Sequence, residues 1–265
     1  MKIALNGLEE TLLIPLWARA KISREYGSFF SDPKAVKLIK RIDYDFSKID
    51  EALRFEGILL NATRAKQFDD KVKGYIAEHP RASVINLGAG LDTTFYRVDN
   101  GLIHWYDLDL PNVIGLRRQL LPEPDRTTYI SKSLFDASWC KDVKNTENGV
   151  FMMSGGVLVY FKRSQVKQFF SSLADNFPGS EIVFGAGSKI SVLIANSFFA
   201  TTMKASFKWI LKDANEMTTW DKRIKVIDQF PCFKNIPRDP WGLRTKLWMD
   251  FMDINRMYNI FHVQV

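Results

Sequence analysis

The stretch Ser83-Val84-Ile85-Asn86-Leu87-Gly88-Ala89-Gly90-Leu91-Asp92 decides the fold of this chain. Its first half, residues 83–87, has the apolar character of a strand buried inside a parallel sheet. Gly88 and Gly90 lack a β-carbon, so the chain can turn sharply after the strand and approach a ligand closely. Asp92 can accept a hydrogen bond from the start of the next helix. The stretch therefore predicts a strand–turn–helix unit that presents its backbone to a nucleotide-like ligand.

The residues after the turn indicate which ligand this is. A dinucleotide-binding turn needs a third glycine beside the pyrophosphate, but Thr93 stands at that position. Together with an acid at the helix start, this disfavours a nucleotide-dependent oxidoreductase. S-adenosylmethionine carries no phosphate, and its ribose hydroxyls require a carboxylate at the end of the second strand. Asp109 follows Gly88 at about the 20-residue spacing of such an acid, with Asp107 as the alternative. The sequence thus favours S-adenosylmethionine.

Composition excludes several other classes of protein. The chain has 265 residues, 46% of them hydrophobic, which suits one large domain. Its net charge of +7 is spread over short pairs such as Arg117-Arg118, which argues against nucleic-acid binding. Cys140 and Cys232 have no metal-ligand spacing and indicate buried thiols in a reducing compartment. The most apolar run, residues 190–203, is too short to span a bilayer, and the charged N-terminus is unlike a signal peptide. We therefore expect a cytoplasmic protein without metal, nucleic-acid or membrane partners.

The pattern along the chain predicts a single α/β domain over residues 1–265. Within it we expect an N-terminal helical cap over 1–79, a cofactor-binding core over 80–187, a helical insertion or lid over 188–222, and completion of the sheet over 223–265. Strands are predicted at 83–87, 103–108, 127–131, 150–160, 181–185, 223–227 and 259–263. Helices are predicted at 8–21, from Asp32-Pro33, at 54–78, 92–97, 112–121, 163–176 and 241–257, and over much of 189–220. This alternation predicts a parallel sheet with right-handed crossovers.

Several ordered motifs resemble one family. Residues 86–97 resemble the signature of the leucine carboxyl methyltransferase family, which includes the O-methyltransferases of polyketide biosynthesis. The resemblance covers residues from about 10 to 187 and includes the motifs at 12–16, 62–64, 107–111, 133–136 and 156–160. It implies a class I methyltransferase with S-adenosylmethionine as methyl donor. Its fold would be a Rossmann-like, mostly parallel sheet of seven strands with the last strand antiparallel, a helical cap, and a helical insertion after the fifth strand.

The resemblance also implies cofactor contacts at three places. These are the turn under the methionyl group (Gly88, Ala89 and Gly90), the acid on the ribose with its neighbour (Asp109 and Leu110), and the segment beside the adenine (Ser133 and Leu134). From the residues alone, the glycines could merely shape a tight turn, and Asp109 could cap the helix that begins near Pro111.

A cation for the methionine carboxylate is implied at Arg64, whose planar guanidinium can bind a carboxylate through two hydrogen bonds. The alternative is an ion pair with Asp69 or Asp70 on its own predicted helix. The resemblance leaves open whether Arg19 or Lys21 adds a second cation.

Two positions depart from the family. Relatives usually have glutamate near the methionyl group where this chain has Gly155, and often aspartate where it has Gly185. We still expect Gly155 to border the cofactor. Losing both acids could change the substrate, weaken cofactor binding, or leave a protein that no longer catalyses.

For the residues that would contact the methyl acceptor, the sequence leaves alternatives open. Tyr160 follows an apolar strand at the carboxyl edge of the sheet, where ligands bind, and could orient an acceptor oxygen or simply pack in the core. The aromatic residues Phe198, Phe199, Phe207, Trp209 and Trp220 could wall an apolar pocket or belong to the ordinary core.

We therefore expect an O-methyltransferase that acts on a small-molecule carboxylate or hydroxyl. A carboxylate or pre-ionised phenol would need no general base, and the sequence identifies no base residue. The alternatives are a protein C-terminal carboxyl methyltransferase and a non-catalytic relative that binds S-adenosylmethionine. The sequence leaves a homodimer open.

Overall fold

The computed structural model of the chain describes residues 10–202 and 206–265. The helices are α1 (Glu10–Glu25), α2 (Pro33–Ile39), α3 (Ser47–Glu78), α4 (Phe95–Val98), α5 (Pro111–Leu120), α6 (Arg163–Asn176), α7 (Lys189–Thr202) and α8 (Leu243–Ile254). The strands are β1 (Ser83–Leu87), β2 (His104–Asp109), β3 (Thr127–Ser131), β4 (Val150–Ser154), β5 (Glu181–Gly187), β6 (Lys225–Pro231) and β7 (Tyr258–Gln264).

The seven strands form one sheet in the order β3-β2-β1-β4-β5-β7-β6. Strands β1 to β5 pair in parallel, and β7 is antiparallel to both β5 and β6. The predicted α/β fold with an antiparallel last strand is confirmed. The strand order reverses between β1 and β4, and in open sheets of this kind ligands bind outside the carboxyl ends of the strands at such a point.

Helices α1, α2 and α3 cover the carboxyl edge of the sheet near this reversal point. Their apolar faces share a core with the segment after β6 and with α8, through buried residues such as Leu16, Ile58, Phe233 and Met249. The helix predicted over 54–78 is the larger part of α3, which is kinked at Arg54 (φ 52°). The division into cap, core and insertion stays a prediction.

Several predicted elements differ from the structure, including the strand predicted at 223–227, which runs over Lys225–Pro231. The helix predicted at 92–97 begins only at Phe95, because Asp92 accepts a hydrogen bond from the Thr94 backbone within a turn (2.7 Å). The strand predicted over 150–160 ends at Ser154, because Gly156 has a backbone conformation (φ +148°) that does not continue a strand. The region 189–220 holds α7 and a short 3₁₀ turn at Ala214–Thr219 rather than continuous helix.

No helix in residues 10–202 and 206–265 combines the length and apolar character needed to cross a membrane.

Candidate active site

A cavity of about 760 Å³ lies at the carboxyl ends of β1, β2, β4 and β5. It is enclosed by side chains of α1, α3, α7 and α8, and most of its wall is apolar. Its size and position are those of a small-molecule or cofactor site. The predicted site residues that line it are Arg19, Arg64, Gly88, Ala89, Gly90, Asp109, Leu110, Gly155 and Tyr160.

The glycine turn is closely packed, and at Gly88 it has no room for a side chain. Gly88 has a φ of +72°, and a β-carbon there would lie 2.6 Å from the β-carbon of Val157. Gly90 has a φ of +47°, and a β-carbon there would lie 3.1 Å from Leu12 of α1. The turn is therefore held between α1 and the segment after β4, with its backbone facing the cavity. This close packing supports the interpretation that the glycines bring backbone near a ligand.

Asp109 ends β2 at the cavity wall. One carboxylate oxygen accepts a hydrogen bond from the Gly90 backbone (2.8 Å), and the other accepts one from the Leu110 backbone (2.7 Å). Each oxygen can accept more than one bond, so both can also receive ligand hydroxyls. Burial raises the pKa of Asp109, although the two backbone donors oppose this shift.

The alternative acid, Asp107, does not line the cavity. It is buried, and its carboxylate accepts hydrogen bonds from Arg117 (2.6 Å), Trp105 (2.9 Å) and Asn86 (3.0 Å). Arg117 also donates to the Gly90 carbonyl (3.0 Å). Asp107 thus holds the glycine turn in place from behind.

Arg64 points into the cavity from α3 without a carboxylate partner in the described residues. Its guanidinium donates to Asn61 Oδ1 (3.0 Å) and more weakly to Tyr258 Oη (3.5 Å). The predicted alternative was an ion pair within α3, but Asp69 pairs with Arg97 and Asp70 pairs with a neighbouring lysine. That alternative is wrong, and the charge of Arg64 is available for an anionic ligand.

Arg19, by contrast, is already neutralised. Its side chain is buried and contacts the carboxylates of Asp32 (3.1 Å) and Asp92 (3.6 Å) and the Leu91 carbonyl (2.9 Å). Burial lowers the pKa of Arg19, and the two acids oppose that shift. Lys21 pairs with Asp50 (2.8 Å) and does not line the cavity.

The sequence reasoning missed the buried ion network behind the turn. Arg97 donates two hydrogen bonds to Asp69 (2.6 and 2.8 Å) and one to Asp32 (2.6 Å). Thr93, at the place of the missing third glycine, donates to the same Asp32 (2.6 Å). Thr93 thus ties the turn to the start of α2. The only signal in the sequence was the charge at these positions, which local spacing does not connect.

The two departures from the family pattern lie side by side. Ser154 pairs with Phe184, so Gly155, just after β4, lies beside Gly185, which is inside β5. A β-carbon at Gly155 would meet only Phe68, at an ordinary 3.8 Å. A β-carbon at Gly185 would overlap the hydroxyl of Tyr258. Position 155 is open to the cavity, whereas position 185 is filled from β7.

The remaining predicted residues are divided between cavity and core. Tyr160 lines the cavity and packs against Phe207, with ring centroids 5.3 Å apart. The other aromatic candidates contribute differently: Trp209 and Trp220 belong to the core beneath the sheet, and the side chains of Phe198 and Phe199 lie outside the described part of the chain. Ser133 and Leu134 are not part of the cavity wall, and Leu134 packs into the core.

The cavity provides the groups that S-adenosylmethionine requires. It has a closely packed glycine turn with no room for a side chain at Gly88, a carboxylate with free acceptor capacity, and a guanidinium without a carboxylate partner among the described residues. Among the residues that the structure describes, no histidine, lysine or cysteine lines it. The donor set therefore fits the cofactor, and a strong general base is missing from the described wall.

Comparisons with known proteins all indicate methyltransferases. A model of the leucine carboxyl methyltransferase family matches residues 15–174. The chain is 32% identical over 185 residues to the tetracenomycin polyketide synthesis O-methyltransferase TcmP of Streptomyces glaucescens, covering 69% of this chain and 67% of that protein. It is 30% identical over 239 residues to the S-adenosyl-L-methionine-dependent methyltransferase dpfgK of Gibberella zeae, covering 82% and 80%.

Solved structures show the same fold at low sequence identity. A candidate methyltransferase from Thermobifida fusca superposes with a TM-score of 0.62 at 13% identity, covering 93% of both chains. The magnesium protoporphyrin IX methyltransferase of Synechocystis, solved with bound S-adenosylhomocysteine, gives a TM-score of 0.52 at 10% identity, covering 94% of this chain and 99% of that one.

Proposed function

The chain belongs to the leucine carboxyl methyltransferase family and is an S-adenosylmethionine-dependent methyltransferase, and from this premise we propose that it methylates an oxygen atom of a small-molecule carboxylate or hydroxyl. One observation carries the proposal. The cavity brings the Gly88–Gly90 turn, the Asp109 carboxylate and the uncompensated Arg64 guanidinium to one wall, and leaves an apolar space beside them.

We assign the cofactor contacts from these groups. Asp109 would accept the ribose hydroxyls, the turn at Gly88 would lie under the methionyl group, and Arg64 would bind the methionine carboxylate. When bound, the cofactor supplies a methyl group already activated on a sulfonium. The protein's part is then to align the acceptor oxygen and to exclude water. The apolar wall from α7 and α8 suits the second task.

The part of the cavity that would hold the methyl acceptor favours an acceptor oxygen that is already ionised. The described wall offers no histidine, lysine or cysteine as a base. Burial raises the pKa of Tyr160, so its phenol stays protonated at neutral pH and can donate a hydrogen bond but cannot remove a proton. Tyr160 could thus orient an acceptor oxygen. A carboxylate or an already ionised phenol fits this environment best.

The alternatives receive less support. A protein C-terminal carboxylate would call for a second available cation, but the charge of Arg19 is compensated by Asp32 and Asp92. A non-catalytic relative that binds S-adenosylmethionine would keep the cofactor groups but would not need the apolar space beside them. The name of TcmP assigns O-methylation in polyketide synthesis to that protein. Aromatic and apolar carboxylic acids and phenols are therefore the first acceptors to test.

The test is a calorimetric titration with S-adenosylmethionine, with NAD as the ligand control. We expect micromolar affinity, and a loss of about 10- to 100-fold in Arg64→Ala and in Asp109→Ala, since hydrogen bonds to charged groups contribute about 1.5–3 kcal/mol. Lys66→Ala is the matched control, because Lys66 lies on the same helix in an ion pair with Asp70 outside the cavity. An acceptor screen would follow. Absence of binding by the unsubstituted protein would refute the proposal.

A further inference from the structure

Tyr258 occupies the space that a side chain at position 185 would take. It begins β7 and lies opposite Gly187 in the antiparallel pairing with β5, so Gly185 is its diagonal neighbour on the same face of the sheet. A β-carbon at Gly185 would overlap the tyrosine hydroxyl and lie within 3 Å of its ring. The absence of a side chain at position 185 is therefore what lets this ring lie across β5 and reach the cavity, whose wall it joins.

The Tyr258 hydroxyl accepts a hydrogen bond but donates none within the described residues. Arg64 Nη1 donates to this oxygen (3.5 Å), and a guanidinium has donors but no acceptors. The hydroxyl must therefore be the acceptor in that contact. Within residues 10–202 and 206–265 no group accepts the hydroxyl's own hydrogen. Burial raises the pKa of Tyr258, so the phenol keeps this hydrogen at neutral pH.

The surroundings of this hydroxyl suit an anion. Arg64 lies beside it, and a β-carbon at Gly156 would be 3.6 Å from Arg64 Nη1. Gly155 and Gly185, the two neighbouring positions at which relatives carry an acid, bring no carboxylate. The nearby Asn61 oxygen is already taken by Arg64 (3.0 Å). This end of the cavity thus presents two hydrogen-bond donors, the charged Arg64 guanidinium and the Tyr258 hydroxyl, and no carboxylate among the described residues pairs with either of them.

We propose that Tyr258 is a positioning residue that donates its phenolic hydrogen to the same carboxylate that Arg64 binds, the methionine carboxylate of the cofactor. The proposal rests on the proposed function and extends it, because it assigns this subsite to a residue pair. Two donors on different elements, α3 and β7, fix the orientation of a carboxylate better than a single guanidinium. Gly185 then has a role of its own, since any side chain there would displace the donor.

The test compares two ligands that differ in the carboxylate. The protein is titrated with S-adenosylmethionine and with its decarboxylated analogue, which keeps the adenosine, the sulfonium and the amine. We expect Tyr258→Phe to weaken S-adenosylmethionine binding about 10-fold or more and to leave the analogue unchanged. Arg64→Ala should show the same ligand-selective loss. Tyr96→Phe is the matched control, because its hydroxyl also makes one 3.5 Å hydrogen bond, to the Pro122 carbonyl, but outside the cavity.

A second variant separates loss of the hydrogen bond from loss of folding. Gly185→Ala keeps the phenol but pushes it out of place, so it should reproduce the selective loss while thermal unfolding confirms that the protein is folded. An equal loss for both ligands in Tyr258→Phe would overturn the proposal, since a merely structural role would affect both. The proposal would also be overturned if Tyr258→Phe kept the S-adenosylmethionine affinity of the unsubstituted protein while Arg64→Ala lost affinity. That result would not contradict the proposed function. If the unsubstituted protein bound neither ligand, both proposals would fall.

Discussion

The packing of the glycine turn can be tested by adding one methyl group. Gly88 and Gly101 have similar left-handed conformations, with φ values of +72° and +82°. They differ in their surroundings, because a β-carbon at Gly101 would meet nothing within 4 Å, whereas one at Gly88 would lie 2.6 Å from the Val157 β-carbon. Comparing Gly88→Ala with Gly101→Ala therefore separates the conformational cost from the cost of the close approach.

The two costs can be worked out from these contacts. A left-handed conformation costs an alanine roughly 1–2 kcal/mol, partly offset by about 0.4–1 kcal/mol from the stiffer unfolded chain. Gly101→Ala should therefore destabilise by about 1 kcal/mol. At Gly88 two carbon atoms must also move apart by about 1 Å to reach ordinary contact. Such overpacking costs about 1–3 kcal/mol more, so we expect a total of about 2–4 kcal/mol.

The assay is thermal unfolding of both variants, followed by titration with S-adenosylmethionine. For a chain of this size each kcal/mol lowers the Tm by roughly 2–4 °C, so Gly88→Ala should melt well below Gly101→Ala. Only Gly88→Ala should lose cofactor affinity, since Gly101 lies outside the cavity. Equal Tm values for the two variants, or equal affinities, would refute the idea that close packing at residue 88 shapes the site.

Three further outcomes follow from buried groups. Arg97→Met leaves the buried Asp69 carboxylate without its ion-pair partner and removes one of the two arginines that contact Asp32, so it should destabilise by about 3–5 kcal/mol in calorimetry; a change under about 1 kcal/mol would contradict the network. Burial raises the pKa of Asp109, so on acidification its carboxylate is protonated at pH values above the ordinary aspartate pKa of about 3.9. Cofactor affinity should weaken in that same pH range. Titrations of Asp109→Asn across the same range should lack that pH dependence, and a parallel decline would refute the assignment. Burial raises the pKa of Cys140 to about 11 and that of Cys232 further, so a thiol reagent at pH 8 should label both only after denaturation, and fast labelling of the native protein would count against their burial.

Much of the fold could be read from local patterns. The buried strand at 83–87, the glycines after it and the acid at the end of the second strand lie in one continuous βαβ unit, and periodicity and turn chemistry determine such a unit locally. The sequence predicted the cofactor for the same reason, since Thr93 and Asp109 occupy defined places relative to the turn. The same reasoning could not place element ends, because the turn at Asp92 and the break at Gly156 depend on individual hydrogen bonds and backbone angles.

The partners of the charged residues could not be read in this way. Arg64 could have paired with either of two acids on its own helix, and the structure leaves it facing the cavity because Arg97 takes one of them. Arg19 was an equal candidate for the site, yet Asp32 and Asp92 neutralise it. Which of two arginines remains available depends on how α1, α2 and α3 pack against the turn.

The sequence by itself determined the parallel core and the place of Asp109 at the end of its second strand, because both rest on residues that are close along the chain, whereas the antiparallel last strand followed only from the resemblance to a family. Only the tertiary structure decided what fills the place of the family acid at Gly185. The antiparallel register of β7 against β5 lays Tyr258 over that glycine and beside Arg64. Strand register joins residues that are distant in sequence, and no local pattern carries that information.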